Sequence, residues 1–124
     1  MSPASEILVV EDNERNLKLV RDVLEATGYR TVAATTGQEA VELARARAPA
    51  LILMDVHLPG MDGVAACARL RGDERTAAIP VVALTAQAMH GDRERFLEAG
   101  FDGYLSKPVD IADLLAAVRE HVAT

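Results

Sequence analysis

Five side chains able to do chemistry stand where apolar runs of this chain end. Glu11 and Asp12 follow Ile7-Leu8-Val9-Val10, Asp55 follows Leu51-Ile52-Leu53-Met54, Thr85 follows Val81-Val82-Ala83-Leu84, and Lys107 follows Gly103-Tyr104-Leu105-Ser106. If those runs are parallel strands of one sheet, all five share its carboxyl edge, where open α/β sheets place ligands and chemistry. Three carboxylates brought together repel one another, and one must hold a proton unless a cation shares the site. Hard oxygen ligands select a hard ion, so Mg²⁺ is the expected occupant, keeping several waters and a position for a substrate oxygen. Taken alone, Asp55 would be a helix cap or a loop residue. A structural ion-pair cluster would explain two of the acids, but not three acids, a hydroxyl and a lysine, each at its own strand end.

The elements that must position these groups alternate along the chain. An unbroken apolar run of strand length, bounded by Pro49 and by Pro59-Gly60, predicts that Leu51–Asp55 is a strand buried on both faces of a parallel sheet. Ile7–Val10 and Val81–Leu84 have the same character, Gly103–Ser106 is a fifth strand, and Thr31–Thr35 is weaker, as an edge strand would be. Between them lie helices. Asn13 caps the first, whose apolar positions Leu17, Leu19, Val20, Val23 and Leu24 spread over an arc of about 160°. That is wider than one sheet face needs, so an edge near Leu17 or Leu19 is expected to be open to a partner. Gly28 closes this helix. Gly37 opens the second, which ends before Pro49. The third carries Val64, Ala65, Cys67, Ala68 and Leu70 and stops at Gly72-Asp73. The fourth runs from about His90 to Ala99 with Phe96 and Leu97 inward. The last is capped by Asp110, with Asp113 three residues on, and packs Ile111, Leu114, Leu115, Val118 and Val122 on the sheet. Strand and helix alternate five times with short connections, giving an α/β fold: a right-handed, doubly wound parallel sheet of order 2-1-3-4-5.

The totals exclude several classes. With 124 residues, 50% of them apolar and 26% charged, the chain has one domain's worth of core. A net charge of −6 repels a phosphate backbone, so no nucleic-acid partner is expected. No run approaches a membrane span, and the first residues have no export pattern, so the cytoplasm is the expected compartment. The single cysteine, Cys67, is read as a small buried hydrophobe.

The motifs also resemble a known family over the whole length, residues 1–124. Val9-Val10-Glu11-Asp12-Asn13, Leu53-Met54-Asp55, Leu58-Pro59-Gly60-Met61-Asp62-Gly63, Leu84-Thr85-Ala86 and Tyr104-Leu105-Ser106-Lys107-Pro108 are similar, in order and spacing, to the receiver domain of two-component response regulators. The resemblance implies a CheY-like (βα)5 fold and a phosphoryl group accepted on Asp55 from a phosphohistidine of a sensor histidine kinase or histidine phosphotransfer protein. It implies Mg²⁺ held by Glu11, Asp12, Asp55 and the backbone carbonyl of His57. It also implies phosphoryl oxygens held by Thr85 and Lys107, and a switch in which Thr85 moves and Tyr104 turns inward. The Lys107-Pro108 peptide bond is expected to be cis. The output would be a changed surface on the fourth helix, fifth strand and fifth helix, read by a downstream protein, with a phosphorylation-dependent dimer left open. Val10-Glu11-Asp12-Asn13 and Ala83-Leu84-Thr85-Ala86 look most like DivK-type bacterial regulators and receivers of hybrid kinases. With no effector domain in view, the chain is either a single-domain regulator or a domain of something longer. The resemblance implies a signalling phosphoacceptor rather than an enzyme, assisting only its own transfer and slow dephosphorylation.

The chemistry is coherent without the name, since a carboxylate nucleophile makes a labile acyl phosphate, so the mark is temporary. Two rivals fare worse. A dehalogenase-type phosphatase needs a second aspartate two residues after the nucleophile, where this chain has His57. A flavin-binding protein needs a phosphate loop where Glu11-Asp12-Asn13-Glu14 would repel one. His57, His90 and His121 lack metal-ligand spacing and are expected to be solvated.

Overall fold

The computed structural model describes residues 5–86 and 92–122. Five strands alternate with five helices: β1 (Glu6–Val10), α1 (Glu14–Ala26), β2 (Arg30–Ala34), α2 (Gly37–Arg47), β3 (Leu51–Asp55), α3 (Gly63–Arg71), β4 (Val81–Thr85), α4 (Asp92–Glu98), β5 (Gly103–Ser106) and α5 (Ile111–His121). All strands are parallel, in the order β2-β1-β3-β4-β5. The expected topology is thus the observed one.

Because successive strand residues face opposite ways, each central strand feeds two cores. Leu8 and Val10, Ile52 and Met54, and Val81 and Ala83 join Ala40, Ala44, Ala66, Cys67 and Leu70 of α2 and α3 on one face. Ile7 and Val9, Leu51 and Leu53, and Val82 and Leu84 meet Val20 and Leu24 of α1 and Leu114 and Val118 of α5 on the other. That double burial is why β1, β3 and β4 are unbroken apolar runs and the edge strands β2 and β5 are not.

Local signals set the helix starts. Asn13, Thr36, Asp62 and Asp110 each accept a hydrogen bond from the backbone N–H three residues on. At α2 the exchange is two-way: Glu39 N–H donates to Thr36 Oγ1 at 3.1 Å, and Thr35 N–H donates to Glu39 Oε1 at 2.8 Å. This capping draws Thr35 out of β2, which pairs Arg30 with Glu6 and ends at Ala34, one residue earlier than expected.

Three expectations about burial need correction. Leu97 is 44% exposed, because α4 is short and buries Phe96, one 100° step away. Ile111 is 51% exposed, because it is the first residue of α5 and stands at the carboxyl edge where the strands stop. His121 is half-buried rather than solvated, in a groove of about 420 Å³ between β5 and α5. His57 is exposed as expected, while His90 and the expected start of α4 lie outside the described residues. Leu19 is 49% exposed, as the wide arc of α1 predicted, and Cys67 is fully buried.

At the opposite edge of the sheet, one residue ties two connections together. Arg71 at the end of α3 donates to the carbonyls of Gly100 (2.9 Å), Ala77 (2.9 Å) and Ile79 (2.7 Å) and to Asp102 Oδ2 (2.6 Å). The same Asp102 oxygen accepts the N–H of Val81 at 2.8 Å, fixing the start of β4. A planar fork of donors fits this arrangement and an ammonium does not. Arg71→Ala is expected to cost about 2 to 3 kcal/mol of unfolding free energy by denaturant titration, with Arg71→Lys recovering less than half. A cost below about 0.5 kcal/mol would show that the clasp is a surface ornament.

Candidate functional site

Register brings the reactive groups to one edge. Val10 pairs with Met54, so Glu11 comes level with Asp55; Asp55 pairs with Leu84, and Thr85 pairs with Ser106. Beyond the last paired residue, Lys107 N–H donates to the Thr85 carbonyl at 2.8 Å, extending the ladder by one bond. The following Lys107-Pro108 peptide is cis, as expected.

The lysine then reaches across the sheet. Its Nζ lies 2.6 Å from Glu11 Oε1 and 2.7 Å from Asp55 Oδ2. Glu11 and Asp55 are buried, with residue exposures of 1% and 4%, while Asp12 is exposed. One ligand oxygen from each of Glu11, Asp12 and Asp55 can be found within 4.8 Å of the others. Asp55 Oδ1 accepts the His57 N–H at 2.9 Å. Glu11 Oε1 is buried with no hydrogen-bond donor among the described residues: the ammonium is close, but off the line a bond requires. A buried oxygen so placed, among hard oxygen donors of like charge, suits Mg²⁺.

Glycine shapes the floor of the site. Gly63 N–H donates to the Val56 carbonyl at 2.8 Å, and a Cβ on Gly63 would stand 2.4 Å from the Asp55 carbonyl oxygen. Helix α3 can therefore begin directly against the peptide that follows Asp55 only because this residue has no side chain.

Thr85 is buried at the end of β4, next to this cup. Tyr104 is not in it. The ring is half-buried on the α2–α3 face, its centroid 5.9 Å from that of Phe96, which itself meets Phe101 edge-on at 5.9 Å. The three aromatics join β5 to α4. In the sequence Arg71 gives no signal, and Gly37 and Gly63 read only as a helix start and part of a loop motif, because their packing roles depend on backbone atoms outside their own elements.

The charges of the cup pull one another's titration apart. Burial pushes the Glu11 carboxyl above its ordinary value, and the neighbouring Asp55 carboxylate adds to this against the pull of Lys107. Burial would raise Asp55 too, but the adjoining Glu11 carboxyl, the Lys107 ammonium and the His57 N–H together hold it below its ordinary value. Lys107, despite burial, is raised by its hydrogen bond to Asp55 and by the charge of the adjacent Glu11. Far from the cup, Glu6 is lowered by its two-pronged bond from Arg47 at 2.8 and 2.7 Å.

Stability should follow these directions. A carboxyl raised in the fold contributes most below its unfolded value and loses that contribution as pH rises through its folded one, which is the case of Glu11. Asp55 and Glu6 are lowered, so they contribute above their unfolded values and lose it as pH falls through the depressed ones. The metal-free protein is therefore expected to lose stability on the alkaline side as Glu11 ionises. Added Mg²⁺ should restore more there than in acid. Melting scans from about pH 4 to about pH 9, with and without Mg²⁺, check this; an Mg²⁺ effect equal at all pH values would contradict it.

Comparison with known proteins gives a consistent picture. The profile of the response regulator receiver domain matches residues 7–119. The polar-differentiation response regulator DivK of Brucella ovis is 43% identical over 116 residues, 94% of each chain. The receiver domain of sensor histidine kinase PA1611 from Pseudomonas aeruginosa, solved with a magnesium ion coordinated in its active-site cleft, is 38% identical with a TM-score of 0.89, covering 98% of this chain and 99% of that one. A co-crystal structure of the Saccharomyces cerevisiae histidine phosphotransfer protein Ypd1 with the receiver domain of its downstream response regulator Ssk1 matches with TM-score 0.89 at 30% identity, over 98% of this chain and 91% of that one.

Proposed function

Since this chain belongs to the response regulator receiver domain family, we propose that it is a phosphorylation-controlled binding module, residues 1–124 acting as one receiver unit in a two-component phosphorelay. Asp55 takes a phosphoryl group from a phosphohistidine of a sensor histidine kinase or histidine phosphotransfer protein. The observation that carries this reading is the position of Lys107 Nζ, 2.6 Å from Glu11 and 2.7 Å from Asp55: a buried nucleophile with a cation at its side.

Phosphoryl transfer needs in-line positioning and neutralised oxygens more than acid-base help. Glu11, Asp12, Asp55 and the His57 carbonyl would hold Mg²⁺, which when bound supplies positive charge to the phosphoryl oxygens. The carboxylate of Asp55, held ionised, attacks phosphorus; the bond from phosphorus to the donor's imidazole nitrogen breaks, and that nitrogen leaves with its electron pair. Lys107 and Thr85 then bind the new oxygens. Each charge-assisted contact formed only in that state is worth about 1.5 to 3 kcal/mol, together about 3 to 6. Driving a two-state element from 1:99 to 99:1 takes about 5.5 kcal/mol. At the upper end of that range the two contacts suffice to move Thr85, turn Tyr104 inward past Phe96 and reshape the α4–β5–α5 surface for a downstream protein, or for a second copy of the chain. The acyl phosphate is lost by slow hydrolysis, and the chain turns over no other substrate. The cytoplasm, where phosphohistidine donors of this kind are made, is the compartment this role requires.

The donor protein docks over the rim formed by Leu19 of α1 and by Pro108 and Val109, which line one pocket with Glu11 and Lys107. Acetyl phosphate, a donor too small to need a docking surface, separates chemistry from recognition. Wild type should gain one phosphoryl group from it in Mg²⁺ and none in chelator. Leu19→Asp should label from acetyl phosphate at the wild-type rate, but at least about tenfold more slowly from a phosphohistidine protein, as loss of one apolar docking contact of about 1.4 kcal/mol implies. Absence of Mg²⁺-dependent labelling in wild type would remove the proposal.

A further inference from the structure

We infer that Gly37, in a helix that contributes no group to the cup, is a positioning residue for its metal: by lacking a side chain it lets the loop from Val56 to Asp62 seat against α2 and so fixes where that loop presents its backbone. This rests on the reading of Glu11, Asp12, Asp55 and His57 as the Mg²⁺ ligands.

A Cβ built on Gly37 would stand 2.5 Å from the Met61 carbonyl oxygen, 3.3 Å from its carbonyl carbon and 3.2 Å from its Cβ. The neighbour is backbone rather than the end of a flexible side chain, so the loop itself must give way. Helix α2 cannot retreat easily, because the two-way bonds of Thr35, Thr36 and Glu39 fix its first turn, and Ala40, Val41 and Ala44 are buried in the core just behind.

The loop is pinned at its far side as well. Gly63 is pressed on the Asp55 and Val56 backbone, its absent Cβ 2.4 Å from the Asp55 carbonyl oxygen and 2.8 Å from Val56 Cα. Asp62 caps α3 through Ala65 N–H at 2.8 Å, and Leu58 is buried. A push at Met61 must therefore be absorbed between Val56 and Met61, the stretch that contains His57 and the N–H bonded to Asp55 Oδ1. Two glycines from different helices thus grip one loop, Gly63 from the side of the nucleophile and Gly37 from the side of the core. Groups behind a ligand that set its orientation alter metal affinity by about 10- to 100-fold when changed.

The test is Mg²⁺ affinity by calorimetric titration of the whole chain. Gly37→Ala is compared with wild type and with Gly72→Ala, where a Cβ meets only ordinary contacts of 3.5 and 3.7 Å and touches no part of the loop. The expected result is an Mg²⁺ affinity at least about tenfold weaker for Gly37→Ala and unchanged for Gly72→Ala. The backbone amide resonances of His57 and Met61 should shift in metal-free Gly37→Ala, a change that a loss of global stability alone does not produce. Wild-type affinity in a folded Gly37→Ala, or an equal loss in Gly72→Ala, overturns the inference. If Gly37→Ala does not fold, Met61→Gly, which removes the loop-side Cβ that faces Gly37 at 3.2 Å, decides: weakened Mg²⁺ binding supports the role of the seat, and unchanged binding refutes it. Wild type failing to bind Mg²⁺ would instead sink the ligand assignment underneath.

Discussion

Asp55→Asn is expected to abolish phosphoryl acceptance while leaving the fold intact. An amide nitrogen or oxygen is no substitute for a carboxylate nucleophile, so labelling by acetyl phosphate in Mg²⁺ should fall by at least about 10⁴-fold, to background. Shape is nearly conserved, and the amide oxygen of the variant can still accept the His57 N–H that Asp55 Oδ1 accepts at 2.9 Å. Electrostatics change in a direction that separates this variant from an ordinary destabilised mutant. Lys107 would then face Glu11 alone, and one of two buried like charges would be gone. Asp55→Asn loses the stability that the ionised Asp55 contributes but also relieves the repulsion with Glu11, so melting in the absence of Mg²⁺ should stay close to that of wild type. A variant that fails to label because it has unfolded would melt far below it.

Lys107→Ala should be the most damaging single change in the cup. Its ammonium offsets both buried carboxylates, and removing one partner of a buried pair leaves charge that water cannot reach, at a cost of about 3 kcal/mol. For a chain of this size that is a fall in melting temperature of roughly 10 °C. The deficit should shrink as pH falls and Glu11 takes up its proton, and should shrink again with Mg²⁺, whose charge replaces the missing one. Function should divide. Asp55 can still be labelled, but Thr85 alone supplies about 1.5 to 3 kcal/mol of the roughly 5.5 that full switching needs. Beryllofluoride-bound Lys107→Ala is expected to displace the Tyr104 ring resonances only part of the way from those of the unmodified protein. Full displacement of those resonances would show that Lys107 takes no part in the switch.

Much of this could be read along the chain because parallel sheets write themselves plainly. Ile7–Val10, Leu51–Met54 and Val81–Leu84 are apolar throughout since both of their faces are covered, and a reactive group stands just after each. Topology then makes neighbours of Glu11 and Asp55, and the N–H of Lys107 bonding the Thr85 carbonyl completes the edge. What stayed hidden depends on the third dimension. Leu97 and Ile111 have the right residue type but the wrong height or angle to reach the sheet. Arg71 looks like any helix-end arginine until four acceptors from distant segments converge on it. Gly37 looks like a plain helix start until Met61, from a loop beyond the next strand, closes over it. Periodicity records which side of an element faces inward; it carries no record of which backbone atom from elsewhere will arrive there.

The claim on which the rest stands is that the phosphoryl group resides on Asp55, and it can be located chemically. Borohydride reduces an aspartyl phosphate to homoserine, leaving a permanent mark that peptide mass spectrometry can place. Protein labelled with acetyl phosphate in Mg²⁺ and then reduced should carry homoserine at position 55 and at no other acid, Glu11 and Asp12 included. Homoserine elsewhere with residue 55 still aspartate, or phosphate recovered on a serine, threonine or histidine, would contradict the account.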